Sequence, residues 1–136
     1  MNMTQKVLSV STSSRNQMLN ITHQVEQIVS QSGIQDGIVT VFCPHTTAGI
    51  TINENADPDV CHDILLTLNK LLPQNLPGYQ HCEGNSDAHV KSSLVGCSRQ
   101  VMLSKGSLVL GTWQGLFFCE FDGPRTRSIH VQIMGQ

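Results

Sequence analysis

The last third of the chain constrains the fold most. From Arg99 onward, strand-like runs follow one another closely: Arg99 to Leu103, Ser107 to Trp113, Leu116 to Phe121 and Arg127 to Met134. Between them stand Lys105-Gly106, Gln114-Gly115 and Asp122-Gly123-Pro124, residues that supply the backbone conformations of tight reversals. In the final run Ile129, Val131 and Ile133 face one way, while Ser128, His130 and Gln132 face the other. Such a series predicts antiparallel strands with one face turned to a core.

The first half alternates periods. Lys6 to Ser11 reads as a strand, and Ile21, Val25, Ile28 and Val29 recur at helical spacing up to a stop at Gly33. Gly37 to Cys43 is β-branched and apolar and ends at Pro44; Ile50 to Asn53 alternates and leaves one polar face. Pro58 opens a helix whose stripe is Val60, Ile64, Leu65, Leu68, Leu71 and Leu72, closed by Pro73. A loop-like stretch from Pro73 to Gly84 leads to a short helix from Ser86 to Val95, stopped at Gly96. The expected architecture is one α+β domain over residues 1–136: a mostly antiparallel β-sandwich-like core with two main helices and one short helix.

Composition narrows the functional classes. At 136 residues the chain has a single-domain length. No apolar run approaches the roughly 20 residues that span a bilayer, and the start of the chain lacks the apolar block of a signal peptide; a cytoplasmic protein without membrane association is expected. The five cysteines form no CxxC pair and are read as reduced, mostly as small core residues. Charged residues are 13% of the chain, against roughly 25% for an average soluble domain. A surface so poor in charge is expected to be partly covered, which favours a homo-oligomer. The net charge of −2 and 4% aromatic content give nucleic acid neither an electrostatic nor a stacking basis.

The scarce charges gather in three segments. The first carries His45 at a strand end, then Thr46, Thr47 and, after the next strand, Asn53, Glu54 and Asp57. His45 is a candidate metal ligand or acid–base group; Asp57 is read as the cap of the helix opened by Pro58. The second runs from His81 to His89 and holds Glu83, Asn85 and Asp87, with Lys91 beyond. Asp87 and Lys91 are one turn apart and can share a face, as an ion pair or as two site groups, and the free N–H groups at the helix start favour an anion such as phosphate. His45, His81 and His89 together would offer three imidazoles to zinc or a similar divalent ion, although the spacing is no fixed zinc signature. The third joins Gln114 to Glu120, Asp122, Arg125 and Arg127. Glu120 and Asp122 share one strand face, and arginine suits a carboxylate or phosphate partner. Trp113 is read as a core residue or pocket wall. Glycine-rich phosphate loops and a nucleophile elbow are absent.

In these three segments, as HTTAGITINENADPDV, YQHCEGNSDAHVKSSLVG and LGTWQGLFFCEFDGPRTRSIHVQIMG, the chain resembles the YjbQ-like family, also called the secondary thiamine-phosphate synthase family, over nearly its whole length. The resemblance implies a β-sandwich core assembled as a homotrimer with sites near subunit boundaries. It implies metal binding by His45, His81 and His89, with Asn53, Glu83, Asn85, Asp87, Lys91, Gln114, Glu120, Asp122 and Arg125 in or near the pocket. The activity it implies is weak thiamine-phosphate synthesis: a pyrimidine pyrophosphate is joined to a thiazole phosphate and pyrophosphate is released. In that scheme a divalent metal (zinc or magnesium), or Arg125 and Lys91, would offset phosphate charge, while Glu83 or Asp87 handles a proton. Asn53, Asn85, Lys91, Gln114, Glu120 and Asp122 would contact the substrate. The rival expectations are a metal-dependent hydrolase and a non-catalytic trimeric binding protein for a metal or small anion.

Overall fold

The structure is a computed structural model and describes all 136 residues. The elements are β1 (Asn2–Ser11), β2 (Gln17–Asn20), α1 (Thr22–Ser32), β3 (Gly37–Phe42), β4 (Ala48–Glu54), α2 (Pro58–Leu71), α3 (Ser86–Val95), β5 (Ser98–Ser104), β6 (Ser107–Leu108), β7 (Gln114–Glu120) and β8 (Thr126–Gly135). They form two sheets, a five-stranded one in the order β1-β8-β3-β5-β6 and a three-stranded one in the order β2-β7-β4. Every strand pair is antiparallel. The α+β sandwich expected from the sequence is the fold observed.

Alternation explains the layering. Val39, Val41, Val101, Leu103, Ile129, Val131 and Ile133 point inward from the five-stranded sheet. They meet Ala48, Ile50, Leu116 and Phe118 of the other sheet, and Val25, Val29 and Ile34 from α1 and its exit complete this core. The run LFFCEF on β7 and its end is buried without alternation, because its strand is covered on both faces. On the far face Phe117, Cys119 and Phe121 pack with Ala88 of α3 and with Cys61, Leu65 and Leu68 of α2. The order is thus five-stranded sheet, three-stranded sheet, helices α2 and α3. No helix is long and apolar enough to cross a membrane.

Local chemistry fixes the ends that matter. Asp57 caps α2 as read, its Oδ1 accepting from the Asp59 N–H at 2.9 Å, and Pro58 occupies the first turn, where no donor is needed. The C-terminal end of α3 lies flat on β4 at Gly49, where an added Cβ would sit 2.6 Å from the Gly96 carbonyl oxygen. Only glycine permits that approach, and it brings the α3 side chains over the end of the sandwich.

Some expectations are corrected. The strand expected over Ser107 to Trp113 is only two residues long: the Val109 N–H still bonds to Met102 in the β5–β6 register, but the Leu110 N–H then turns back to Leu108 and ends the extended run. Gln114 and Gly115 open β7 instead of forming a turn. Trp113 is neither core nor wall, being 63% exposed. β2 was not anticipated; it pairs with the β7 residues Phe117 to Glu120. All five cysteines are free thiols; Cys43 and Cys119 are buried, and burial raises their pKa to about 11 and about 12 respectively.

Candidate functional site

The Glu120 end of β7, the start of β8, the β3–β4 turn and the entry to α3 meet at one end of the sandwich. Their side chains border an open cavity of about 350 Å³ lined by Pro44, His45, Thr46, Thr47, Glu83, Asn85, His89, Asp122, Arg125 and Arg127. Six of the residues singled out in the sequence therefore come together: His45, Glu83, Asn85, His89, Asp122 and Arg125. Pro44 apart, the lining is polar throughout.

The floor is a buried ion pair. Glu120 is wholly buried, and Arg127 reaches it with Nε at 2.9 Å from Oε1 and with a second, shorter bond from Nη2 to Oε2. Arg127 Nη2 also donates to the Thr47 hydroxyl at 2.9 Å. The Thr12 hydroxyl lies 2.9 Å from Glu120 Oε1 and takes a bond from the Arg125 N–H. Burial works against the Glu120 charge, but the Arg127, Asp122 N–H and Thr12 hydrogen bonds outweigh it and hold this carboxyl below the usual carboxylate range. Glu120 is thus a support beneath the cavity and not a substrate contact.

Asp122 lies above this pair. It accepts from Asn85 Nδ2 at 2.8 Å and from Arg125 Nη2 at 3.0 Å, and the Arg125 Nε donates to its main-chain oxygen. Arg125 remains about half exposed. Asn85 Oδ1 is buried without any hydrogen-bond partner, an uncompensated acceptor at the cavity wall.

His45 and His89 face this cavity from different elements. His45 Nε2 lies 3.1 Å from both the main-chain N and O of Ser128, so a neutral ring either accepts from the N–H or donates to the carbonyl. Desolvation, followed by the nearby Arg127 charge, lowers the His45 pKa and keeps the imidazole neutral. His81 turns away: its Nδ1 is 3.2 Å from the Ser86 hydroxyl, and its ring stands edge-on to His89 with centroids 5.5 Å apart. Glu83 is exposed, with Oε1 3.7 Å from His81 Nε2.

The expected metal triad is not assembled in the single chain. No group of three or more His, Cys, Asp or Glu side chains is arranged to hold an ion, because His81 and His89 pair with each other while His45 is held across the cavity by β8. The donor chemistry suits a divalent ion, but the geometry of one chain does not close around it.

Four further assignments are corrected by position. Asp87 and Lys91 are buried and spend their capacity on each other and on the scaffold. Lys91 Nζ donates to Asp87 at 3.0 Å, to Asn69 at 2.6 Å and to Asn16 at 3.1 Å, which uses all three of its protons. Arg15 grips Asp87 with two bonds of 2.9 and 3.0 Å. Burial opposes ionisation of Asp87, yet Arg15 and Lys91 together lower its pKa. This network ties the β1–β2 loop, α2 and α3 together and leaves neither residue free for a substrate. Asn53 and Gln114 stand near the other end of the three-stranded sheet, where Glu54 pairs with Gln114 and Asn53 with Gly115. At about 3.3 Å per residue, the length of β7 separates them from the cavity by about 20 Å.

Arg127 was grouped with Arg125 in the third polar segment but given no place in the site, Thr47 was given no role, and Arg15 was missed as the partner of Asp87. For Arg127 the signal was present: strand alternation turns it inward with Ile129, and a buried arginine requires a carboxylate such as Glu120. Arg15 sits in an irregular SSRN stretch that gave no period to read.

Comparison with known proteins agrees with this fold. Residues 6–136 match the profile of the family described as UPF0047 protein YjbQ-like. The UPF0047 protein YugU of Bacillus subtilis is 51% identical over 130 residues, covering 96% of this chain and 98% of its own. A UPF0047 protein of Methanocaldococcus jannaschii is 53% identical, with 93% and 91% covered. The crystal structure of a YjbQ/UPF0047 family protein from Clostridium acetobutylicum superimposes with a TM-score of 0.92 at 54% identity, covering 95% of this chain and 99% of that one. The chain belongs to the YjbQ-like UPF0047 family.

Proposed function

We propose that this member of the YjbQ-like family is a cytoplasmic small-molecule enzyme whose active site is the cavity between His45, His89, Asp122 and Arg125. Its substrate would be a phosphorylated compound. The observation that carries the reading is the polar lining of a cavity of about 350 Å³. Most small-molecule pockets are largely apolar with few polar groups; a polar one repays the desolvation only of a ligand that bonds to it, such as a phosphate ester.

The reaction proposed is the one the family resemblance implies. The thiazole nitrogen forms a bond to the methylene carbon of the pyrimidine pyrophosphate, the C–O bond to pyrophosphate breaks, and pyrophosphate leaves with the bonding electrons. The half-exposed guanidinium of Arg125 would meet the phosphate oxygens. Neutral His45 is suited to accept or position a proton, and exposed Glu83 is the carboxylate able to reach solvent-borne protons. A divalent ion, zinc or magnesium, belongs to the proposal through the adjacent His81 and His89. Its third ligand would come from a neighbouring subunit of a homotrimer or from movement of the His81–Glu83 loop. No step above is routed through it.

Pyrophosphate release from the two precursors tests the reading. It should require both compounds, and Glu83→Gln or Arg125→Ala should lower it at least tenfold without changing the fold. Metal content by mass spectrometry should be stoichiometric in the native protein and lost in His89→Ala. Turnover of neither precursor, with no phosphate ester or pyrophosphate stabilising the protein, would discard the proposal; metal retained with hydrolysis of a phosphate ester would favour the hydrolase instead.

A further inference from the structure

His89 lines two hollows of the surface. Besides the polar cavity it faces an open hollow of about 370 Å³ whose other walls are Tyr79, Gln80, His81, Ser86 and Val90. Local structure sets their placement. Ser86, His89 and Val90 fall three and four residues apart in α3 and share one of its faces. Tyr79 closes a four-residue turn: Pro77 stands at its second position, Gly78 takes φ +101° at its third, and the Tyr79 N–H donates to the Leu76 carbonyl at 3.2 Å. Those are the residues of a type II turn, whose third position requires a left-handed backbone. The loop beyond is pinned as well, since Gln74 Nε2 donates to the Gly84 carbonyl at 3.0 Å and His81 Nδ1 lies 3.2 Å from the Ser86 hydroxyl. The wall so built is mostly ring and hydrocarbon. The His81 and His89 imidazoles stand edge to face, with centroids 5.5 Å apart and planes at 88°. Tyr79 is partly buried in the same hollow, and Val90 is 37% exposed.

We propose that this hollow is a second compartment of the site, and that it receives a planar aromatic ring whose phosphate lies across His89 in the polar cavity. The two sides of His89 differ in kind. One is polar and carries Arg125; the other is walled by Tyr79, two imidazoles and Val90. A ligand that uses both has a charged end and an apolar end. The apolar end is a ring because rings gain from edge-to-face or offset contact with other rings beyond the area they bury, whereas an alkyl group gains from its buried area alone. Room is not limiting, since a cavity of about 150 Å³ takes up benzene. The Gln80 amide and the Tyr79 hydroxyl add donors and acceptors able to pair with ring nitrogens or amino groups. Tyr79, Gln80 and Val90 have no part in the polar cavity, so they act on specificity for the ring and not on the phosphate. The assignment rests on the functional reading for the phosphate end only.

Calorimetric titration of the full chain with phenyl phosphate and with ethyl phosphate, each with magnesium present, tests it. Tyr79 is the single tyrosine of the chain, so its ring protons are unambiguous reporters in NMR spectra. The phenyl ester should bind about tenfold more tightly than the ethyl ester, a difference of about 1.4 kcal/mol. Its ring current should shift the Tyr79 protons, and the ethyl ester should leave them in place. Tyr79→Ala should erase the preference at unchanged ethyl phosphate affinity, and Tyr79→Phe should keep it. Equal affinities with the Tyr79 protons unmoved overturn the inference and leave the functional reading standing. A preference that survives in Tyr79→Ala overturns it too, because the ring then sits elsewhere. If that variant does not fold, the wild-type proton shifts decide. Benzyl alcohol, an aromatic probe without phosphate, separates the remaining case. Tyr79 protons that respond to it when neither ester binds keep the ring compartment and discard the functional reading; protons that respond to neither aromatic probe overturn the ring compartment.

Discussion

Replacing Arg127 by methionine removes the cation from a wholly buried carboxylate and keeps most of the buried volume. Glu120 would retain only the Thr12 hydroxyl and the Asp122 N–H. Breaking one side of a buried pair costs about 3–5 kcal/mol, because the remaining charge stays desolvated. In a domain of this size that is about 12–20 °C in midpoint temperature. The pH dependence carries the sharper test. In the wild type the Glu120 pKa lies below its unfolded value, so its stabilisation is complete above the unfolded pKa of about 4.3 and is lost as pH falls through the folded value. Without Arg127 burial dominates and the pKa rises, so protonation relieves the variant as pH falls. The gap between variant and wild type should be widest near pH 7.5 and narrow towards pH 5. Thermal unfolding followed by circular dichroism at pH 7.5, 6 and 5 measures this, and the double variant with Glu120→Gln should recover part of the loss. A cost below about 1 kcal/mol that does not change with pH would refute the reasoning, since it would mean that Glu120 finds solvent or another partner at once.

Two further outcomes follow from the same chemistry. Lys91→Met should cost about 2–4 kcal/mol in urea unfolding, less than the full price of an orphaned charge because Arg15 still holds Asp87 by two bonds, with the Asn16 and Asn69 oxygens left short of a donor. His45 has a folded pKa below its unfolded value of about 6.5, so the unfolded chain takes the proton first. Stability should therefore fall with pH below about 6.5 and be flat in this respect above it, and His45→Gln should flatten that slope in a plot of midpoint temperature against pH.

The sandwich was legible because its rules are local. Alternation in β8 and the apolar stripe with Asp57 and Pro58 in α2 each point to one structure, and the structure has them. β2 escaped because QMLN is too short to show a period and is defined only by its pairing with β7. The β6 strand was overread because Ser107 to Trp113 has β-rich composition, while the local turn that closes Leu110 onto Leu108 leaves no mark in it. The site was half legible for a related reason. Sequence clusters polar residues by segment, but burial sorts them by direction. In α3 the inward face is Asp87, Ala88, Lys91 and Ser92, so a helix with charged core contacts shows no apolar stripe, and its ion pair reads as site chemistry. Asn53 and Gln114 read as site residues for the opposite reason, since polar strand residues give no sign of which end of the sandwich they occupy.

The charge around the site sharpens what a phosphorylated ligand must meet. Arg15, Lys91, Arg125 and Arg127 face Asp87, Glu120, Asp122 and Glu83, so the neighbourhood is electrically balanced before anything binds. Three of those acids are already bonded to those cations. The buried pairs are too deep to rearrange, which leaves Arg125, on Asp122, as the one cation able to turn to an incoming phosphate. Doing so strips Asp122 of a donor beside the already unpartnered Asn85 oxygen, and the anion would add its charge to a site with no surplus of the opposite sign. In the functional proposal, a divalent cation entering with the phosphate beside His89 would restore that balance. That is the physical reason to keep a metal in the functional proposal although one chain does not gather three ligands.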